Sequence, residues 1–120
     1  MVRIDADVGR NRLNITLSGS PSGDRTEDVL RELDAALMRL RAPIDVLSDV
    51  RALDALQPHL LEAFKLAGEK LRAFGVRRSV RIVGKSANAA VAMERFTRHL
   101  QHHAAHLAFS EAEAEAAFTK

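Results

Sequence analysis

Apolar and polar positions alternate from the start of the chain. Val2, Ile4, Ala6 and Val8 are separated by single residues, as are Leu13, Ile15 and Leu17. A period of two is that of a strand with one face buried. Gly9-Arg10-Asn11 lies between the two runs, and Gly and Asn tolerate the positive φ of a tight turn. An antiparallel hairpin is expected. Ser18 to Gly23 is rich in turn-formers, and the period then changes. Val29, Leu30, Leu33, Leu37 and Leu40 recur at helical spacing after Asp24 or Thr26, with Glu27 and Asp28 suited to the positive end of a helix dipole. Pro43 ends that helix.

Ile44 to Val50 is an apolar run with few turn-formers, expected to be the central strand of a sheet covered on both faces. Pro58 suits a first helical position. Leu60, Phe64, Ala67, Leu71 and Phe74 form the next stripe, with Leu61 and Leu66 off it, and Gly75 is the predicted cap. Arg77 and Arg78 lead into a short strand, Val80 to Val83. A third helix follows, capped by Ser86 or Asn88, with Ala89, Met93, Phe96 and Leu100 inward. Leu107-Ala108-Phe109 is a final short strand, and Ser110 with Glu113 makes a capping box opening a last helix to Phe118. Strands alternating with helices predict an α/β fold. The expected domain is a single five-stranded, mostly parallel sheet, its first strand antiparallel, with about four helices.

Composition narrows the function classes. The 120 residues fit one domain with one core, residues 1–120. Eighteen basic residues against 16 acidic ones leave +2, which is no field for nucleic acid, and without Trp or Tyr bases have few platforms to stack on. The absence of cysteine excludes disulfides, thiol catalysis and thiolate metal ligands. No apolar run resembles a signal peptide or a bilayer span, so a soluble, cytoplasmic protein without stable membrane insertion is expected.

The element order, the stretch Val46-Leu47-Ser48-Asp49-Val50-Arg51, the strand Arg81-Ile82-Val83-Gly84 before a helix and the closing Leu107 to Ala114 segment together resemble the STAS domains. These have the anti-sigma-factor-antagonist fold, and within that superfamily the chain resembles the branch grouped with CRAL-TRIO-type lipid-binding domains. The resemblance implies a regulatory, protein-binding role. Antagonist STAS domains carry a phosphorylatable serine, usually within Asp-Ser-Ser-Gly, at the start of the helix after the central strand. Here that stretch is Asp54-Ala55-Leu56-Gln57-Pro58-His59, and no Ser or Thr occurs between Ser48 and Ser79. A serine phospho-switch is chemically unavailable there.

The candidate ligand or partner site is the corner where the central strand ends. Ligands of open α/β sheets bind outside the carboxyl ends of strands, which singles out Asp49, Arg51 and Asp54, with Ser18, Ser20 and Ser86 beside them. A plain ion pair between Asp49 and Arg51 is the structural alternative, and the commoner one. Gly84-Lys85-Ser86 has the tail of a phosphate loop but Ser79 where that pattern requires Gly, so it is read as strand end and helix cap. His99, His102, His103 and His106 cluster, with His99, His102 and His103 spaced for one face of a helix that continues through them, yet no carboxylate lies among them. Capping of a helix end is expected there rather than a metal site. Arg72, Arg77, Arg78, Arg81 and Lys85 form a basic strip, read as a mixed solvated surface. No cofactor and no catalytic triad are expected. Two functions remain: a constitutive module that binds a protein partner or a second copy, with Leu61 as a contact residue, or a carrier of a small apolar ligand, lined by Leu60, Leu61, Phe64, Met93 and Phe96.

Overall fold

The computed structural model describes residues 2–19, 26–53, 58–83 and 106–119. Five strands form one sheet, β1 (Val2–Asp7), β2 (Arg12–Gly19), β3 (Ile44–Leu53), β4 (Val76–Ile82) and β5 (His106–Ala108), in the spatial order of the sequence. β1 pairs antiparallel with β2, and every other pairing is parallel. The helices among the described residues are α1 (Thr26–Leu37), α2 (Pro58–Phe74) and α3 (Glu111–Phe118). None is long and apolar enough to cross a membrane. The expected helix around Ala89 to Leu100 falls outside the described residues.

The hairpin turn is held by Asn11, which adopts φ 52°. Its Nδ2 donates to the carbonyls of Arg41 (2.6 Å) and Pro43 (3.2 Å), its Oδ1 accepts from the Arg41 amide (2.9 Å), and its carbonyl accepts from the Asp45 amide (3.3 Å). The turn between β1 and β2 is thus fastened to the segment that enters β3. Gly75 caps α2 at φ 113°, a left-handed value that favours glycine, with its amide on the Leu71 carbonyl and its carbonyl accepting from Ile44.

β3 lies at the centre, as its apolar run predicts, and its residues serve two cores. On one face Leu13, Ile44 and Val46 pack with Leu33, Ala36 and Leu37 of α1 and with Leu40 beyond it, and Ala67, Leu71 and Phe74 of α2 close over them. Leu17, Val50, Leu53 and Val83 continue this layer under Phe64. On the other face Val80, Ile82 and Ala108 pack with Ala114 and Phe118 of α3, and Leu47 joins them from β3. Leu66, off the α2 stripe, is exposed.

α1 ends at Leu37, short of the Leu40 that closes its predicted stripe, and the boundaries of three strands also differ from expectation. β3 runs on through Arg51 to Leu53. β4 begins at Val76 rather than Val80, and the basic pair belongs to it. Arg77 places its guanidinium on the nearly fully buried Asp45 (2.8 and 3.1 Å), and Arg78 donates to the carbonyls of Ala117 and Phe118 at the end of α3. The neighbouring Asp45 carboxylate raises the Arg77 pKa further above its ordinary value. The third is β5, which starts one residue early, so His106 is a strand residue, exposed at the sheet edge.

The capping box of α3 forms with a shift. Ser110 Oγ accepts from the Glu113 amide (3.2 Å), but the Glu113 carboxylate reaches the Phe109 amide (2.7 Å), one residue upstream of the capping residue.

Candidate functional site

Along β2 the residues between the core positions are Arg12, Asn14 and Thr16. Strand geometry sends them to the face opposite Leu13, Ile15 and Leu17, which is the α3 face. Among the described residues α3 is the only helix packed there, over β4 and β5. Beside it an open cleft of about 570 Å³ runs over β1, β2 and β3, in the range of small-molecule sites.

Each charged group lining this cleft faces an opposite charge. Arg3 Nε lies 2.8 Å from Asp5. Arg12, whose side chain is only 6% exposed, donates to Glu115 of α3 at 2.6 and 3.4 Å, with its guanidinium carbon 3.9 Å from the centre of the Phe118 ring. Arg10 sits 3.7 Å from both Asp7 and Glu115. Arg51 grips Asp49 through Nε (3.0 Å) and Nη2 (2.7 Å) and reaches Glu111 at 3.2 Å. Glu111 and Glu115 are one helical turn apart and share a face of α3, so the helix is tied to the sheet through two carboxylates.

These pairings set the protonation states. The side-chain hydrogen bond from Arg51 holds the Asp49 carboxyl below its ordinary pKa despite partial burial, and Asp49 in turn keeps Arg51 protonated well above its usual range. Glu115 is lowered in the same way, chiefly by its hydrogen bond from Arg12. Carboxylates held ionised in this manner are poor proton carriers at neutral pH.

Asn14 leaves a polar atom unpaired. It lies between Asp5 on β1 and Leu47 on β3, and its carboxamide oxygen is buried with no hydrogen-bond partner among the described residues. A buried acceptor without a donor costs about 1–3 kcal/mol, and the Nε of Arg12, two residues earlier, is buried without one too. Sequence reasoning passed over both. The available signal was that β2, although interior in the sheet, alternates where a strand buried on both faces would be apolar throughout.

Of the residues singled out from sequence, Asp49 lines the cleft and Arg51 stands at its rim, joined to each other as the plain ion-pair alternative describes. Glu111, not anticipated, completes that corner. Ser18 lies on β2 just past the register shift after Thr16. Asp54, Ser20 and Ser86 fall outside the described residues, as do Lys85, His99, His102, His103, Met93 and Phe96. Leu61 lies on α2, but its side chain and that of Leu60 are outside what is described. Phe64 packs on the α1/α2 side. The basic strip does not hold together: Arg77 and Arg78 have the partners given above, Arg81 is buried and Arg72 is exposed.

No family model matches the sequence, and no curated protein matches it. Among solved structures, that of the anti-sigma factor antagonist SpoIIAA in its unphosphorylated form superposes with a TM-score of 0.63. It covers 99% of this chain and 97% of that one at 11% sequence identity. The chain therefore has the STAS-like fold, and at that identity the likeness is one of fold.

Proposed function

We propose that this chain is a non-enzymatic, cytoplasmic regulatory module that acts by binding a protein, either a partner or a second copy of itself, without a serine phosphorylation switch. The observation that carries this is the end-to-end match to the fold of an anti-sigma factor antagonist, combined with a central strand and following helix that contain no hydroxyl side chain from Asp49 to Arg78. The fold supplies a scaffold whose relative is named for regulation through a protein. The missing hydroxyl removes the group by which phosphate would toggle the start of α2. The Asp49 and Glu115 carboxylates of the cleft, held ionised by Arg51 and Arg12, are poorly suited to general acid-base work.

Leu61, near the start of α2, is the contact residue of this reading. In native mass spectrometry of gently purified protein, Leu61→Asp should lower the dimer or partner-bound fraction at least about tenfold, while circular dichroism reports an unchanged fold. Phosphatase treatment should leave the wild-type complex as it was. A folded Leu61→Asp variant with the same subunit number and the same bound partner would overturn the reading, as would a complex abolished by phosphatase.

A further inference from the structure

We infer that the cleft on the α3 face is a binding site for an uncharged small molecule with hydrogen-bonding groups along one edge and an apolar surface along the other. The inference does not depend on the interaction role proposed above.

The charges around the cleft disfavour an ionic ligand, because each already has a partner. Arg3 with Asp5, Arg12 with Glu115, and Arg51 with Asp49 and Glu111 lie within 2.6 to 3.2 Å, and Arg10 stands between Asp7 and Glu115. An anion or a cation entering here must break one of these pairs or meet the like charge beside its partner. A neutral molecule meets neither penalty.

The floor is built differently from the rim. Asn14 and Thr16 are consecutive cleft-facing positions of β2, about 7 Å apart along the strand. One offers a carboxamide and the other a hydroxyl. The Asn14 oxygen is buried without a partner among the described residues, while the side chain as a whole is only partly buried and borders the cleft. Because a carboxamide can be turned end for end, the end it presents there can either donate or accept. Leu47, Ile82 and Ala112 form the opposite wall, continuous with the apolar core under α3. A ligand therefore finds hydrogen-bonding groups on the β2 side and an apolar wall on the β3, β4 and α3 side. Leucine at position 14 would have extended the apolar surface of Leu47 across the sheet and left no unpaired atom at that position. The chain keeps an amide there, which folding alone does not call for.

The test uses three probes of one size that differ in charge: benzamide, benzoate and benzylammonium, titrated into the isotope-labelled full chain and followed by NMR. Benzamide should shift the Asn14 side-chain amide and the Thr16 backbone amide saturably. Benzoate and benzylammonium should bind at least about tenfold more weakly. Asn14→Leu should lose benzamide binding by about tenfold, the factor corresponding to one hydrogen bond of ordinary strength, with the rest of its spectrum native. Thr16→Val provides the same reading should Asn14→Leu fail to fold. Equal binding of a charged probe, full benzamide affinity in the folded variant, or the absence of any shift in the cleft would each overturn the assignment.

Discussion

The two faces of the sheet obey different rules although they share every strand. On the α1/α2 face Leu13, Ile44, Val46 and Val50 are almost wholly withdrawn from water beneath helices, and stability comes from close packing. On the α3 face the same strands present Arg12, Asn14, Asp45 and Asp49, and only the half under α3 is apolar. The first face is bound by volume and shape. The second is bound by electrostatic pairing, and it keeps an amide whose oxygen has no partner among the described residues. In an α/β protein a face that departs from apolar packing without being exposed throughout is where a site is to be sought.

The sharpest way to break this comparison lies in two neighbours on β2. Leu13→Ala, on the packed face, removes a fully buried side chain and should cost about 2–5 kcal/mol in urea unfolding, the range for such truncations. Glu115→Gln, on the paired face, leaves the buried Arg12 guanidinium without its counter-charge. Because Glu115 is itself 45% exposed, water recovers part of the loss, and about 1–2 kcal/mol is expected rather than the larger cost of opening a wholly buried pair. Asn14→Leu should have the opposite sign to Leu13→Ala, stabilising by about 1 kcal/mol, since it removes a buried acceptor that lacks a donor. A destabilised Asn14→Leu protein would show that the amide has a structural role and that the two faces are less distinct than described.

The smallest effect is on pH dependence. The native pKa of Asp49 is depressed by the hydrogen bond from Arg51, and that of Glu115 by the hydrogen bond from Arg12. Their stabilisation is therefore fully present above the ordinary carboxylate pKa of about 4 and is lost as pH falls through that value toward the lower native one. Urea midpoints should fall between pH 5 and pH 3, and Asp49→Asn should make that fall shallower.

How much of this was legible depends on how far away each residue's partner lies. The hairpin, the central strand, the Gly75 cap and the last helix follow from local periodicity and capping chemistry, and those elements formed where expected. β4 was read short because Arg77 and Arg78 interrupt the apolar pattern. Their strand conformation is secured by Asp45, 32 residues earlier in the chain, and by the carbonyls ending α3, some 40 residues later, and no local window contains those partners. The cleft was hidden for the same reason: Arg12 and Glu115 are 103 residues apart. The corner at Asp49 and Arg51 was visible because its two members are two residues apart. Glu111, 60 residues on from Arg51, was not.

Asn11 carries a consequence for both faces. In a strand with a two-residue repeat, sliding β2 by one position would send Leu13, Ile15 and Leu17 to the charged side and Arg12, Asn14 and Thr16 into the helix-packed side. The clasp of the Asn11 amide on Arg41 and Pro43, with its carbonyl on Asp45, is an alignment pin against that slip. A single side chain in a surface turn thereby keeps the inside and the outside of the sheet from trading places.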